Sequence, residues 1–375
     1  MKTSRADKVR IFLANRLFTS FYGMAFDEWV RLLRKHDFAV DAPYLPRATL
    51  MTLTSALTSL LRAYENKKYG PKLADVEVKR PLFILGHWRS GTTHLHNLLA
   101  RDEQFAYPNV WQVLNPHTFL STERYSAIMK LAAPKTRLID NVAFAPNLPL
   151  EDEFATCGTV CSPGVGWIFP RWAGYYDRYL TFRAVPEDEV ERWRASLMLL
   201  YKKLTLKSGR PLVLKSPPHT GRIALLLEMF PDARFVHIHR DPFAIFQSAR
   251  RWIPIMERAS CLQEPRSPDE IDTWIIRRYK VLYGAFFEER DLIPDSRFHE
   301  IRFEDLERDP VAEIRGLYES LGIPGFEVFR PALENYVRAN SSYRKNEYQK
   351  LPSSLRREIS QAWRRSFEEW NYPCD

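Results

Sequence analysis

Gly86 and Gly91, with Thr92 and Thr93 directly after, lie in Gly86-His-Trp-Arg-Ser-Gly-Thr-Thr93. Two glycines at this spacing let a backbone curl until successive N–H groups point at one anion. The two hydroxyls and the positive end of a following helix complete a phosphate cradle. A nucleoside-triphosphatase loop carries Lys where Thr92 stands, to reach the β- and γ-phosphates. Without that Lys, a single 5′-phosphate fits better than a triphosphate with magnesium. A plain strand-to-helix turn would also need glycines, but the flanking elements and the enclosed Arg89-Ser90 favour an anion site.

A second cluster is His239-Arg240-Asp241-Pro242, with Ser248 two helical turns on. Arg240 ends an apolar strand pattern, where open α/β sheets bind their ligands. Its planar fork suits a phosphate, and the Ser248 hydroxyl adds a donor. The plainer alternative is a surface Arg paired with Asp241. Two anion sites on one sheet describe a nucleotide phosphorylated at two places. Two further groups bear chemistry: the consecutive acids of Pro149-Leu-Glu-Asp-Glu-Phe154, and the bases of Leu214-Lys-Ser-Pro-Pro-His219. An acidic helix start and a surface Lys at a strand end are the plainer readings of these.

The elements that must hold these residues read as alternating strands and helices. Apolar runs predict strands at 82–85, 211–214, 233–238 and 299–303. Helices are expected at 186–207, 221–230, 241–251, 273–289, 309–321, 330–337 and 353–369. This alternation predicts an α/β fold with a parallel sheet. Residues 8–65 read as helical. Ile11, Leu13, Leu17, Phe18, Phe21 and Tyr22 form one stripe, Trp29, Leu32 and Leu33 a second segment, and 48–66 a third. The first helix is basic and aromatic. That is compatible with peripheral contact with a membrane surface, but a core-facing amphipathic helix is the preferred reading. The expected organisation is an N-terminal helical region over 1–78 and an α/β domain over 79–375, with the Pro- and aromatic-rich 105–180 as an insertion shaping a pocket.

The chain has 375 residues and 45% hydrophobic content, ample for a large core. Its net charge of +9 comes from 55 basic residues against 46 acidic ones, with no dominant basic tail. No nucleic-acid-binding signature accompanies it, so no nucleic-acid partner is expected. Cys157, Cys161, Cys261 and Cys374 are too few for a disulfide framework in a chain this long. Cys157 and Cys161 are spaced to share a helical face but lack further metal ligands, so they read as buried thiols. There is no signal-peptide core and no run long enough to span a membrane, which makes a cytoplasmic location the expectation.

Three motifs in order, Gly-His-Trp-Arg-Ser-Gly-Thr-Thr (86–93), Leu-Lys-Ser-Pro-Pro-His (214–219) and His-Arg-Asp-Pro…Ser (239–248), resemble the sulfotransferases that use 3′-phosphoadenosine 5′-phosphosulfate. The likeness spans about 80–310. It implies a P-loop-like, three-layer α/β domain around a central parallel sheet, with helical extensions at both ends, and no metal. It implies that Arg89, Ser90, Gly91, Thr92 and Thr93 hold the 5′-phosphosulfate, and that Arg240 and Ser248 hold the 3′-phosphate. Cytosolic members clamp that phosphate with a basic loop near the C-terminus. Arg344 and Lys345 stand there, without its glycine-rich pattern.

A sulfuryl donor leaves as a phosphate, so cations must meet the departing oxygen; Arg89 and Lys215 are the candidates. Arg89 stands where cytosolic members have Lys, so it holds charge without readily giving up a proton, and Lys215 is the better donor. The acceptor must lose a proton to a general base. His219, Glu151 and Glu153 stand as candidates, as members of the family use either His or Glu. His94, His96 and His117 read as structural. The acceptor offers a hydroxyl or an amine and is a small molecule, lipid or saccharide; aromatic content in 105–180 hints at a hydrophobic alcohol. The alternatives are a kinase with a degenerate phosphate loop and a non-catalytic nucleotide-binding adaptor on membranes.

Overall fold

The computed structural model describes residues 19, 23–127, 129, 145–340 and 350–374. The expected first helical stripe and the pair Arg344–Lys345 lie outside these residues. Four parallel strands form the central sheet: β1 Leu82–Leu85, β2 Val213–Lys215, β3 Arg234–His239 and β4 Phe298–Arg302. Their order is β2-β1-β3-β4. The register pairs Ile84 with Lys215, Leu85 with His237 and His239 with Arg302.

Every residue of β1 is buried, because a parallel strand covered on both faces reads as a continuous apolar run. Successive side chains alternate between faces, and this divides the core in two. Phe83, Leu85, Leu214 and Phe235 join one cluster, while Leu82, Ile84, Val213, Val236 and Ile238 join the other.

The helices, in chain order, are α1 Phe26–Lys35, α2 Leu45–Ala74, α3 Thr92–Leu99, α4 Glu187–Ser208, α5 Ile223–Met229, α6 Pro242–Ser260, α7 Pro268–Glu289, α8 Phe303–Arg308, α9 Pro310–Ser320, α10 Phe326–Ala339, α11 Ser353–Ala362 and α12 Arg364–Glu369. Side chains of α3, α9 and α10 cover one face of the sheet; those of α4, α6 and α7 cover the other. The result is three layers. Short helical turns such as Val110–Leu114, Glu153–Thr156 and Val165–Ile168 occupy the segment between α3 and α4.

Several elements differ from the sequence reading; the helix expected over 241–251, for one, runs on to Ser260. The helix expected over 353–369 breaks at Trp363, whose indole stacks on Tyr279 with 3.8 Å between centroids and donates to the Ile276 carbonyl. Burying that ring turns the chain. The helix expected over 48–66 continues to Ala74, where Lys202 donates to the Leu73 and Ala74 carbonyls. Cys157 and Cys161 share no continuous helix, because Val160 between them is left-handed at φ 64°. Both thiols are buried, and burial pushes that of Cys157 far up.

Candidate active site

β1 delivers the chain to Gly86, whose φ is 142°. A Cβ there would lie 2.5 Å from the Ile238 carbonyl and 2.7 Å from Ser90 Oγ, so only glycine passes. The Gly86 N–H donates to Thr220 Oγ1 at 2.7 Å, and that of His87 donates to the Tyr283 hydroxyl at 3.2 Å. Arg89 is left-handed at φ 74° and Gly91 at 105°; a Cβ on Gly91 would run into the Phe303 ring. The chain then enters α3, whose first turn presents N–H groups without intrahelical acceptors. Inside the curl, Ser90 Oγ is buried without a hydrogen-bond partner among the described residues. Ser216 Oγ, just past β2, is the same. Buried hydroxyls without partners are costly, and an anion with several acceptor oxygens fits a cradle that leaves them so.

The loop after β3 meets this curl directly. Arg240 Nη1 donates to the Arg89 carbonyl at 3.3 Å, and its guanidinium sits 4.3 Å from the centre of the Phe303 ring. Arg89 Nε in turn donates to Ser248 Oγ on α6 at 2.7 Å. Asp241 caps α6 through the Phe243 N–H, and burial pushes its carboxyl up. The two anion positions expected separately are thus joined at Arg89, at the carboxyl ends of β1 and β3. Here the strand order switches from β2 on one side of β1 to β3 on the other, the place where open sheets take ligands.

The three consecutive acids separate onto three bases of one other segment. Glu151 Oε1 lies 2.8 Å from Lys215 Nζ. Asp152 accepts from the Tyr201 hydroxyl at 2.7 Å and lies 3.1 Å from His219 Nε2. Glu153 takes Arg222 bidentately at 2.7 and 3.2 Å, and Arg222 also donates to the Tyr179 carbonyl. Positions 151, 152 and 153 therefore match 215, 219 and 222. The backbone joins in: Asp152 N–H donates to the Lys215 carbonyl, and Leu150 N–H to that of Pro108.

Burial ranks the three pairs. Asp152 and His219 are sealed, Glu153 and Arg222 nearly so, and the Glu151 side chain keeps 15% of its surface. Burial, and then the Asp152 carboxylate, push the Tyr201 hydroxyl well above the ordinary tyrosine range, so it stays a donor. Lys215 Nζ also reaches Thr93 Oγ1 at 3.5 Å. The Glu151–Lys215 pair therefore adjoins the 86–93 loop.

The loop residues, Glu151, Lys215, Arg240 and Ser248 come together, while Glu153 and His219 turn inward. His96 is fully buried, and His117 pairs with Glu28 at 2.9 Å. Sequence reasoning passed over Thr220, Tyr201, Arg222 and Phe303. The available signal was charge matching: three acids in a row need three bases, and 215, 219 and 222 supply them. Among the described residues, no three His, Cys, Asp or Glu side chains group to hold a metal. No helix among them is long and apolar enough to cross a membrane.

The profile of the sulfotransferase family matches residues 81–327. The omega-hydroxy-beta-dihydromenaquinone-9 sulfotransferase Stf3 of Mycobacterium tuberculosis is 34% identical over 352 residues, covering 93% of this chain and 90% of that protein. Human carbohydrate sulfotransferase 5 is 25% identical over 347 residues, covering 86% and 81%. Among solved structures, sulfotransferase STF9 of Mycobacterium avium superposes with a TM-score of 0.71 at 20% identity, over 99% of this chain and 98% of that one. Sulfotransferase STF1 of Mycobacterium tuberculosis gives 0.67 at 19% identity, over 91% and 93%. These structures share the P-loop-like fold expected from the motifs. The chain belongs to the sulfotransferase family, and its enzymatic activity is sulfuryl transfer.

Proposed function

We propose that the enzyme moves the sulfuryl group of 3′-phosphoadenosine 5′-phosphosulfate to the hydroxyl of a lipid-like acceptor, with Glu151 as general base. The pairing of Glu151 with Lys215 beside Thr93 carries this reading: a carboxylate with some exposure, next to a cation, next to the phosphate loop. Glu153 and His219 are the weaker candidates. Each is buried against a partner within its own network and serves to hold the loop segment carrying Glu151.

The donor supplies an electrophilic sulfur and a phosphate leaving group. Arg89, Ser90, Gly91, Thr92 and Thr93 hold the 5′ end, and Arg240 and Ser248 the 3′-phosphate. The acceptor oxygen bonds to sulfur as the sulfur–oxygen bond to the 5′-phosphate breaks. Glu151 takes the acceptor proton, and adenosine 3′,5′-bisphosphate leaves with the bond's electron pair. Lys215 and Arg89 face the charge that develops on the departing oxygen. Family membership sets aside the kinase and adaptor alternatives. A lipid-like acceptor is favoured by the relative at 34% identity, which is named for a hydroxyl-bearing menaquinone derivative.

The test is transfer of isotope-labelled sulfate from the donor to a lipid extract, read by mass spectrometry. The reading requires labelled product with the wild type and its loss in Glu151→Gln. Full transfer by Glu151→Gln, with loss in His219→Gln instead, would move the base elsewhere.

A further inference from the structure

The longest helix, α2, has an anchored face and a bare one. On the inner side Arg47 donates to the Cys261 and Arg258 carbonyls. Met51, Ser55 and Leu73 are buried, and Glu65 pairs with Lys203 at 2.8 Å in a sealed contact. The opposite side carries Leu53, Leu57, Leu60 and Tyr64, which are 65%, 57%, 71% and 54% exposed. Intervals of four, three and four residues set them in one row along the axis. Ala56 and Ala63 are exposed beside them. Since, among the described residues, the inner face alone ties the helix to the fold, the row is surplus to it. Four large apolar side chains in line form a patch rather than the scatter normal on a surface.

Charge decides what the row fits. Glu65 is the only acid in α2 and it points inward. The row ends at exposed Lys67 and Lys68, and Lys68 Nζ lies 5.7 Å from the Tyr64 ring centre and 5.0 Å from that of Tyr69. The outer face is therefore apolar for about 16 Å, closes on Tyr and Lys, and bears no negative charge. A second copy of the chain is a poor match. Paired in parallel, the lysines would meet lysines; paired antiparallel, they would meet an acid-free face, in a protein of net charge +9. An anionic bilayer is complementary. It takes a Leu row at the acyl boundary and seats Tyr and Lys at headgroup level.

We infer that α2 docks the enzyme on an anionic lipid surface through Leu53, Leu57, Leu60 and Tyr64, with Lys67 and Lys68 on the headgroups. The inference stands on exposure and charge and does not depend on the assignment of the base or the acceptor.

The test is sedimentation of the full chain with phosphatidylcholine vesicles, with and without about one-third phosphatidylglycerol. The wild type should sediment with the anionic vesicles and far less with the neutral ones. Leu57→Glu/Leu60→Glu and Lys67→Glu/Lys68→Glu should each cut the bound fraction about tenfold or more. Unchanged thermal midpoints and adenosine bisphosphate affinity would mark both variants as folded. Wild type that stays in solution with both vesicles, or variants that bind as it does, would overturn the inference. So would a wild-type dimer in ultracentrifugation that Leu57→Glu/Leu60→Glu splits into monomers.

Discussion

Arg89 donates from Nε to the Ser248 hydroxyl at 2.7 Å, while its backbone carbonyl accepts from Arg240 at 3.3 Å. One left-handed residue of the 86–93 loop thus ties together the chain after β1, the chain after β3 and helix α6. The cations expected to serve opposite ends of the donor are mutually positioned, and the loss of one should be felt at the other.

Arg240→Ala should weaken binding of adenosine 3′,5′-bisphosphate about tenfold to a hundredfold, the range for a charge-assisted contact. Ser248→Ala should cost less, since it removes one neutral hydroxyl. Calorimetric dissociation constants check both, and an unchanged constant for Arg240→Ala would remove it from the site.

The acids at 151 and 153 should separate chemistry from stability. Glu151→Gln should lower turnover about 10²–10⁴-fold and cost less stability than Glu153→Gln, because Lys215 is buried but Glu151 itself keeps 15% of its surface. Glu153→Gln leaves the Arg222 charge buried without its counter-ion and should cost about 3–5 kcal/mol of stability. Denaturant unfolding and steady-state turnover of both variants check the split, which fails if Glu153→Gln unfolds like the wild type.

Gly91→Ala should disable the loop. The new Cβ meets the Phe303 ring, and φ of 105° disfavours any L side chain. Bisphosphate binding should fall below detection and the thermal midpoint should drop. Near-normal binding would show that the loop relaxes at little cost.

Acid should destabilise the fold before carboxylates titrate. Burial holds the His87 imidazole down to about 3, and burial followed by the His237 charge holds that of His239 to about 3. Unfolded, each has the ordinary value of about 6.5. Between these values the unfolded chain binds more protons, so stability is full above about pH 6.5 and falls as pH is lowered through that window. The slope is about 1.4 kcal/mol per pH unit for each His. Thermal midpoints should fall between about pH 6.5 and pH 5, and His239→Gln should flatten the fall. A midpoint that is flat or rises on acidification would contradict this.

What the sequence made legible follows from where each signal resides. β1 and its loop were readable because a doubly covered parallel strand is uniformly apolar, and because Gly86 and Gly91 sit at positions a Cβ cannot occupy. Arg240 and Ser248 were readable as candidates for a phosphate fork beyond a strand end. Their contact with Arg89 was not, because it depends on β1 lying beside β3 in the sheet. The acids at 151–153 were visible as a cluster, yet their sorting onto Lys215, His219 and Arg222 is tertiary and leaves no local periodicity. The break at Trp363 is set by a ring docking on Tyr279, which overrides helical propensity.

The most direct measurement compares three nucleotides by calorimetry without magnesium: adenosine 3′,5′-bisphosphate, adenosine 5′-monophosphate and ATP. Two joined anion positions predict that the bisphosphate binds at least about a hundredfold more tightly than the monophosphate, that ATP gains nothing, and that Arg240→Ala removes about tenfold to a hundredfold of the difference. Equal affinity for bisphosphate and monophosphate, or tighter binding of ATP, would contradict it.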